Sequence, residues 1–194
     1  MSRELICIEI IDNKPSGWKS HRSFARWIVE TVQPEIVVDL GVDYGHSSFY
    51  FSIPDIGTIY GIDTFDPVGY YIEHSDNYEH VIAMKEKYNF DNIVFIQGLF
   101  DDVANTWDKQ IDILHIDGDH SYESVKNDYE TWKKFLKEDS VVMFHDTESF
   151  PSTVGKFFRE LEMPHKCHFK ESAGLGIASK DPKIIESIKK SFNI

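Results

Sequence analysis

Residues 113–125 read ILHIDGDHSYESV. An apolar run ends on two aspartates and a histidine, Asp117, Asp119 and His120, and an amphipathic pattern starts directly behind them. Two carboxylates and an imidazole at the tip of a buried strand can cap the next helix, hold a divalent cation or move a proton. A second tip of this kind lies in VVMFHDT, where His145 and Asp146 close another apolar run and Asp146 falls 29 residues after Asp117. That interval is one strand–helix–strand unit. A right-handed crossover sets the two strands side by side or nearly so, with both tips on one edge of the sheet. Two or three oxygen and nitrogen ligands meeting there would suit a divalent ion, and Asp119 and His120 are rival proton acceptors. The plainer reading is that Asp119 or Ser121 caps the helix and that His145 is a satisfied histidine beneath a loop. It accounts for one or two of these groups, not for five titratable side chains at two neighbouring tips.

The other strand ends offer a different chemistry. VVDLGVDYGHSS carries Asp39 ahead of Gly41 and Gly45, and these glycines let the backbone turn tightly and approach a ligand, although many strand–turn–helix junctions use glycine for turning alone. Ser47 stands at the start of the helix that follows, where free N–H groups are available. In YGIDTF, Asp63 lies 22 residues beyond Gly41, beside Thr64. An acid so placed on the neighbouring strand can accept from the ribose hydroxyls of a nucleoside, the alternative being a turn cap. In QGLFDD, Gly98, Leu99 and Phe100 either flank a purine or belong to the core. The loop TFDPVGYYIEHSD, with Phe65, Tyr70 and Tyr71, is either an acceptor lid or an ordinary surface loop.

These tips need elements to hold them. Short apolar runs at 35–41, 58–63, 92–97, 111–116 and 140–145 read as buried strands, and helical patterns lie between them. The clearest helix spans 121–137, with Tyr122, Val125, Tyr129, Trp132 and Leu136 on one stripe. Residues 20–33, 78–88, 99–107 and the segments beginning at 45, 153 and 184 are also helical, whereas 4–11 reads as a short N-terminal strand. HKCHFK and GLGIAS form a terminal hairpin. Alternating strands and helices imply an α/β fold, a mostly parallel sheet covered on both faces, with ligands at the carboxyl ends of its strands. Residues 1–194 form a single domain, with 1–19 as an N-terminal extension and a core over about 20–180.

A net charge of −13 over 194 residues argues against nucleic acid as a partner. No apolar run approaches the ~20 residues of a membrane span, and MSRELICIEI lacks the features of a signal peptide, so the expected location is the cytoplasm. Cys7 and Cys167 lie far apart, outside any metal spacing, and read as free thiols.

VVDLGVDYGHSS, YGIDTF, LHIDGDHSYESVKNDYETWKKFL and VVMFHDT together resemble a class I S-adenosylmethionine-dependent methyltransferase. More narrowly, they resemble the small-molecule O-methyltransferases of methyltransferase domain 24, related to macrocin-type sugar O-methyltransferases. The resemblance implies a Rossmann-like, doubly wound seven-stranded sheet of order 3-2-1-4-5-7-6 with the last strand antiparallel. It implies that Asp39, Gly41, Gly45 and Ser47 shape the methionine part of the cofactor pocket. It further implies that Asp63 and Thr64 take the ribose, that Gly98, Leu99 and Phe100 border the adenine, and that Asp117 lines the same pocket. In metal-dependent members the positions matching Asp117, His145 and Asp146 bind a divalent ion, and the acid matching Asp119 is a candidate base. The sequence departs from that pattern at His145-Asp146, where two acids or Asp-Asn are usual, and at Asp43, where glycine is common. Imidazole suits transition metals better than Mg²⁺. The ion is therefore Mn²⁺-like, or His145 stands aside, or this branch has no metal. The expected reaction moves a methyl group from S-adenosylmethionine to a small-molecule hydroxyl, with Mg²⁺ or Mn²⁺ as the candidate ion and a homodimer as the candidate assembly. The alternatives are a nucleoside-cofactor-binding domain without turnover and a metal-dependent hydrolase.

Overall fold

The computed structural model describes residues 1–66 and 75–194. Seven strands form one sheet: β1 (Ile36–Leu40), β2 (Thr58–Asp63), β3 (Ile93–Gln97), β4 (Ile111–Ile116), β5 (Leu136–His145), β6 (His165–Phe169) and β7 (Leu175–Ser179). Their order is β3-β2-β1-β4-β5-β7-β6. Strands β1 to β5 pair in parallel, and β7 pairs antiparallel with both β5 and β6. The order expected from the family resemblance is the order found, and the terminal hairpin is β6–β7.

Successive residues of the central strands serve two separate cores, as a period of two dictates for a sheet covered on both faces. Val37, Ile113, Val141 and Met143 pack with residues of helices α1 (Arg3–Glu9), α2 (Arg22–Val32), α3 (His46–Phe51) and α8 (Pro182–Phe192). Val38, Leu114, Val142 and Phe144 face the other way, toward α6 (Tyr122–Trp132) and α7 (Val154–Glu160). Helices α4 (Asn77–Tyr88) and α5 (Phe100–Ala104) complete the layers. Among the described residues no helix is long and apolar enough to cross a membrane. Cys7 and Cys167 are buried free thiols, and burial pushes each up to about 12.

Two elements differ from the sequence expectation. The segment 4–11 is helical over Arg3–Glu9, capped by Ser2 Oγ accepting from Leu5 N, with Ile6 and Cys7 buried. A short apolar run does not by itself separate a strand from a buried helical turn, and here the run packs beside α3. The helix expected to reach 137 ends at Trp132, and a tight turn over Lys133–Phe135 leads into β5. Leu136, which shares the helical stripe, instead pairs with Ile111 across a register irregularity between β4 and β5.

His46, in the first turn of α3, is buried, and its Nε2 has no partner. Burial lowers its pKa from 6.5 to about 4. The unfolded chain therefore takes up a proton near 6.5 while the folded chain does not. Stability is complete above 6.5 and drains as the pH falls toward 4. Urea denaturation of the wild type at pH 7 and pH 4.5 should show this loss, of which the share belonging to His46 is roughly 2–3 kcal/mol. His46→Gln should lose less over the same interval. Equal losses in the two proteins would dispose of the assignment.

Candidate active site

The site starts from a buried acid. Asp39 is fully buried near the end of β1 and lies in register with His115 on β4. Its Oδ1 is 2.6 Å from His115 Nδ1, and its Oδ2 accepts from Ser47 Oγ at 2.7 Å and from Ser48 Oγ. An ionised carboxylate away from water must be answered by donors of this kind. The consequence is local: the first turn of α3 is tied to two strands, and the hydroxyl of Ser47 is engaged by Asp39.

The turn between β1 and α3 follows. Gly41 has φ +94°, and a Cβ there would lie 2.0 Å from the Asp117 carbonyl oxygen. The glycine turn and the acid-bearing tip of β4 therefore share one wall. Gly45, at φ +82°, is the residue before α3, and a Cβ on it would meet the Phe49 ring at 2.7 Å. The same turn is held from the next strand. Asp63 Oδ2 accepts from Val42 N (2.7 Å) and Asp43 N (3.0 Å), and Oδ1 accepts from Phe65 N (2.9 Å). An ionised carboxylate has about four acceptor positions, so Asp63 organises the turn and retains some capacity for a further donor. Thr64 accepts from Asp66 N through Oγ1 at 3.3 Å and from Gln97 Nε2 through its carbonyl at 3.1 Å.

Gly98 N donates to Asp63 O at 2.9 Å, which sets the tip of β3 beside that of β2. Leu99 is an exposed apolar side chain at this rim. Phe100 turns inward, its ring 2.6 Å from where a Gly118 Cβ would stand. The three residues thus divide between rim and core. Of the loop after Thr64, Phe65 is buried and packs on Tyr78, with ring centroids 4.9 Å apart, while Tyr70 and Tyr71 lie outside the described residues.

At the tips of β4 and β5 the acids and imidazoles converge. Asp117, His120 and Asp146 each offer a ligand atom, and these atoms lie within 4.8 Å of one another. His120 Nε2 is 2.9 Å from Asp146 Oδ2 and 3.8 Å from Asp117 Oδ1. It is buried without an aligned hydrogen-bond partner. Asp146 has φ +61°, a left-handed conformation that aspartate tolerates better than most residues. His145 stands behind the trio. Its Nδ1 is 3.3 Å from Asp117 Oδ1 and 3.6 Å from Asp146 Oδ2, and its ring lies against Gly17. Burial alone would lower both imidazoles, but the two carboxylates outweigh it and raise His120 to about 9 and His145 to about 10. Burial likewise opposes ionisation of Asp117 and Asp146. The neighbouring imidazoles reverse that, holding Asp117 well below the ordinary carboxylate range and lowering Asp146.

Asp119 is exposed and bends back to accept from Ser121 N at 2.9 Å, which lowers its pKa. Ser121 is the N-cap of α6, its Oγ accepting from Ser124 N. Of the two rival bases, His120 is therefore the one joined to both acids. Three residues near the cluster were not singled out from the sequence: His115, His21 and Trp18. A histidine inside the apolar run IDILHI was the available signal for the first. Nothing local marks the other two, because their place is set by how the N-terminal segment folds over the sheet edge.

The fold and this edge define a class: that of the class I S-adenosylmethionine-dependent methyltransferases. The family model of a methyltransferase domain matches residues 38–147, and the chain belongs to that family. The chain is 33% identical over 188 residues to the uncharacterized protein y4gI of Sinorhizobium fredii, covering 89% of this chain and 20% of that protein. It is 30% identical over 77 residues to the uncharacterized protein R132 of Acanthamoeba polyphaga mimivirus, covering 40% of this chain and 30% of that one. The chain thus spans well under half the length of these curated relatives. Among solved structures it resembles a Staphylococcus aureus protein provisionally named a caffeoyl-CoA O-methyltransferase (TM-score 0.67, 18% identity, 93% of each chain). It also resembles an O-methyltransferase of Bacillus cereus in complex with S-adenosylhomocysteine (TM-score 0.63, 13% identity, 91% of this chain and 89% of that one). A third is TomG of Streptomyces achromogenes, in complex with S-adenosylmethionine (TM-score 0.58, 13% identity, 88% and 89%). At these identities the structures show a common fold.

Gly41→Ala should disrupt this arrangement, since the new methyl group would meet backbone and not a movable side chain. Loss of about 3 kcal/mol or more in chemical denaturation is expected. A variant as stable as the wild type would mean that the contact between the turn and Asp117 is looser than described.

Proposed function

We propose that the chain transfers a methyl group from S-adenosylmethionine to a hydroxyl of a small molecule of the sugar or natural-product type, assisted by a divalent cation. The observation that carries the reading is the meeting of Asp117, His120 and Asp146 one strand away from the Gly41 turn, in a chain of the methyltransferase domain family. When bound, S-adenosylmethionine supplies a methyl group on a good leaving group. The residues present fit it: a backbone stripped of Cβ at Gly41, an acid at the end of β2, and an exposed apolar side chain, Leu99, at the end of β3. Asp63 would take a ribose hydroxyl on its remaining acceptor capacity, and Leu99 would cover one face of the adenine. Asp39 acts on the pocket at one remove, through Ser47, Ser48 and α3.

The cation also fits. His145 Nδ1 stands 3.3 Å from Asp117 Oδ1 and 3.6 Å from Asp146 Oδ2, so that one imidazole nitrogen and two carboxylates meet while His120 is left free of the ion. Two oxygens and one imidazole nitrogen suit Mn²⁺ and its neighbours better than Mg²⁺. A divalent ion held by Asp117, Asp146 and the imidazole of His145 would polarise the acceptor hydroxyl and supply the positive charge these carboxylates otherwise draw from His120. His120 is the group proposed to accept the hydroxyl proton. At neutral pH its raised pKa keeps it protonated while the carboxylates have no other cation. Relief of that pairing is what makes the nitrogen available as a base. Asp119 serves the loop and the start of α6.

Calorimetry with S-adenosylhomocysteine, with and without Mn²⁺, is the first test, and micromolar binding is expected. Absence of binding under all conditions would sink the methyltransferase reading. Asp63→Ala should weaken that binding at least tenfold, a loss of about 1.4 kcal/mol. With a panel of sugar and phenolic hydroxyl acceptors, His120→Ala should slow methyl transfer by roughly 10²–10⁴-fold, the range for a general base. Asp119→Asn should stay within a few fold of wild type. The reverse order of effects would move the base to Asp119.

A further inference from the structure

Trp18 comes from the short helical turn Gly17–His21, outside the matched residues 38–147. It is 2% exposed. Its ring stacks on His145, with centroids 5.3 Å apart and planes 25° apart, and meets His115 edge-on at 4.6 Å. Its Nε1–H donates to Asp117 Oδ2 at 3.1 Å. An indole has one donor and no acceptor, so a buried tryptophan needs an acceptor partner. The one it meets here is a carboxylate of the candidate site.

We infer that Trp18 is a positioning residue that fixes which oxygen of Asp117 faces the site. The indole holds Oδ2. Oδ1 is left toward His145 Nδ1 at 3.3 Å and His120 Nε2 at 3.8 Å, and it is the oxygen presented to a cation or an acceptor. This inference rests on the proposed role of Asp117 with His120 and Asp146. It makes the N-terminal segment part of the site. That segment is capped by Ser16 Oγ, which accepts from Trp18 N at 3.0 Å, and is tied to the rest of the fold by Ser172 Oγ, which donates to Gly17 O at 3.1 Å. Gly17 itself lets the turn lie on His145, since a Cβ there would stand 3.1 Å from His145 Cε1. Groups that orient a metal-binding carboxylate from behind commonly govern affinity by 10- to 100-fold. A tryptophan that only filled space would need its ring and not its N–H.

The test separates ring from N–H. Trp18→Phe keeps an aromatic ring. A chain with 3-benzothienylalanine at position 18, which replaces N–H by sulfur at nearly the same size, covers the case in which the smaller ring fails to fold. Mn²⁺ binding by titration calorimetry should weaken 10- to 100-fold in both, with S-adenosylhomocysteine affinity unchanged. Mn²⁺ affinity equal to wild type in a folded variant overturns the inference. The indole ¹H–¹⁵N resonance of Trp18 gives a reading independent of any cation. It should move in Asp117→Ala and stay in place in Asp63→Ala, and a resonance unmoved by Asp117→Ala overturns the inference. If the wild type binds no Mn²⁺, the metal-assisted reading fails while the indole resonance still decides the role of Trp18.

Discussion

A carboxylate sealed from water is unstable unless donors surround it, and Asp39 has three. One comes from β4 and two from the first turn of α3. The rest of the site follows from that arrangement. With Asp39 held, β1 and β4 cannot slide past one another, the start of α3 is fixed in direction, and the backbone between them has to turn within a few residues. That short turn brings Gly41 against the Asp117 carbonyl, where a side chain has no room. The buried acid thus acts on the candidate site through covalent geometry and not by lying in it.

The second organising element is electrostatic. Asp117 and Asp146 come from different strands, and like charges drawn together need a cation between them. In this structure His120 and His145 supply it, one from the loop after β4 and one from the end of β5. The two imidazoles are not equivalent. His145 is enclosed by Trp18 and Gly17, whereas His120 lies under Phe150, with ring centroids 4.2 Å apart, and Phe150 is exposed. The enclosed one braces the carboxylates. The outer one is the imidazole to which the proposed reaction assigns the proton.

Much of this could be read from the chain. Apolar strands at near-regular intervals, each stopping at polar residues, give the parallel α/β architecture, and the tips of β4 and β5 were recognisable as one place because a single crossover joins them. The resemblance carried by IDGDHSYESV and its companion motifs supplied the strand order, which periodicity alone does not determine. What remained hidden depended on side-chain direction or on distant contacts. His120 rather than His145 stands in the compact trio because the chain after Asp117 curls back over Asp146, a turn with no clear signature in GDHS. The division of labour between Asp119 and Ser121 at the helix start was closer to hand, since both are good cap residues. Trp18 was invisible as a site residue because its partner lies 99 positions away.

The alternation along β1 bears on how this domain can change length. Val37 faces one core, Val38 and Leu40 the other, and Asp39 is directed to His115. One residue gained or lost inside the strand would exchange every one of these directions, carrying the acid among Val125, Trp132 and Phe144 and leaving α3 untethered. The junction between α6 and β5 has no such intolerance, for the ladder already slips between Ile111 and Ile113. Insertions and deletions in descendants of this sequence should therefore accumulate near 133–139 and be absent from 36–40, a pattern of permitted lengths set by one buried contact between Asp39 and His115.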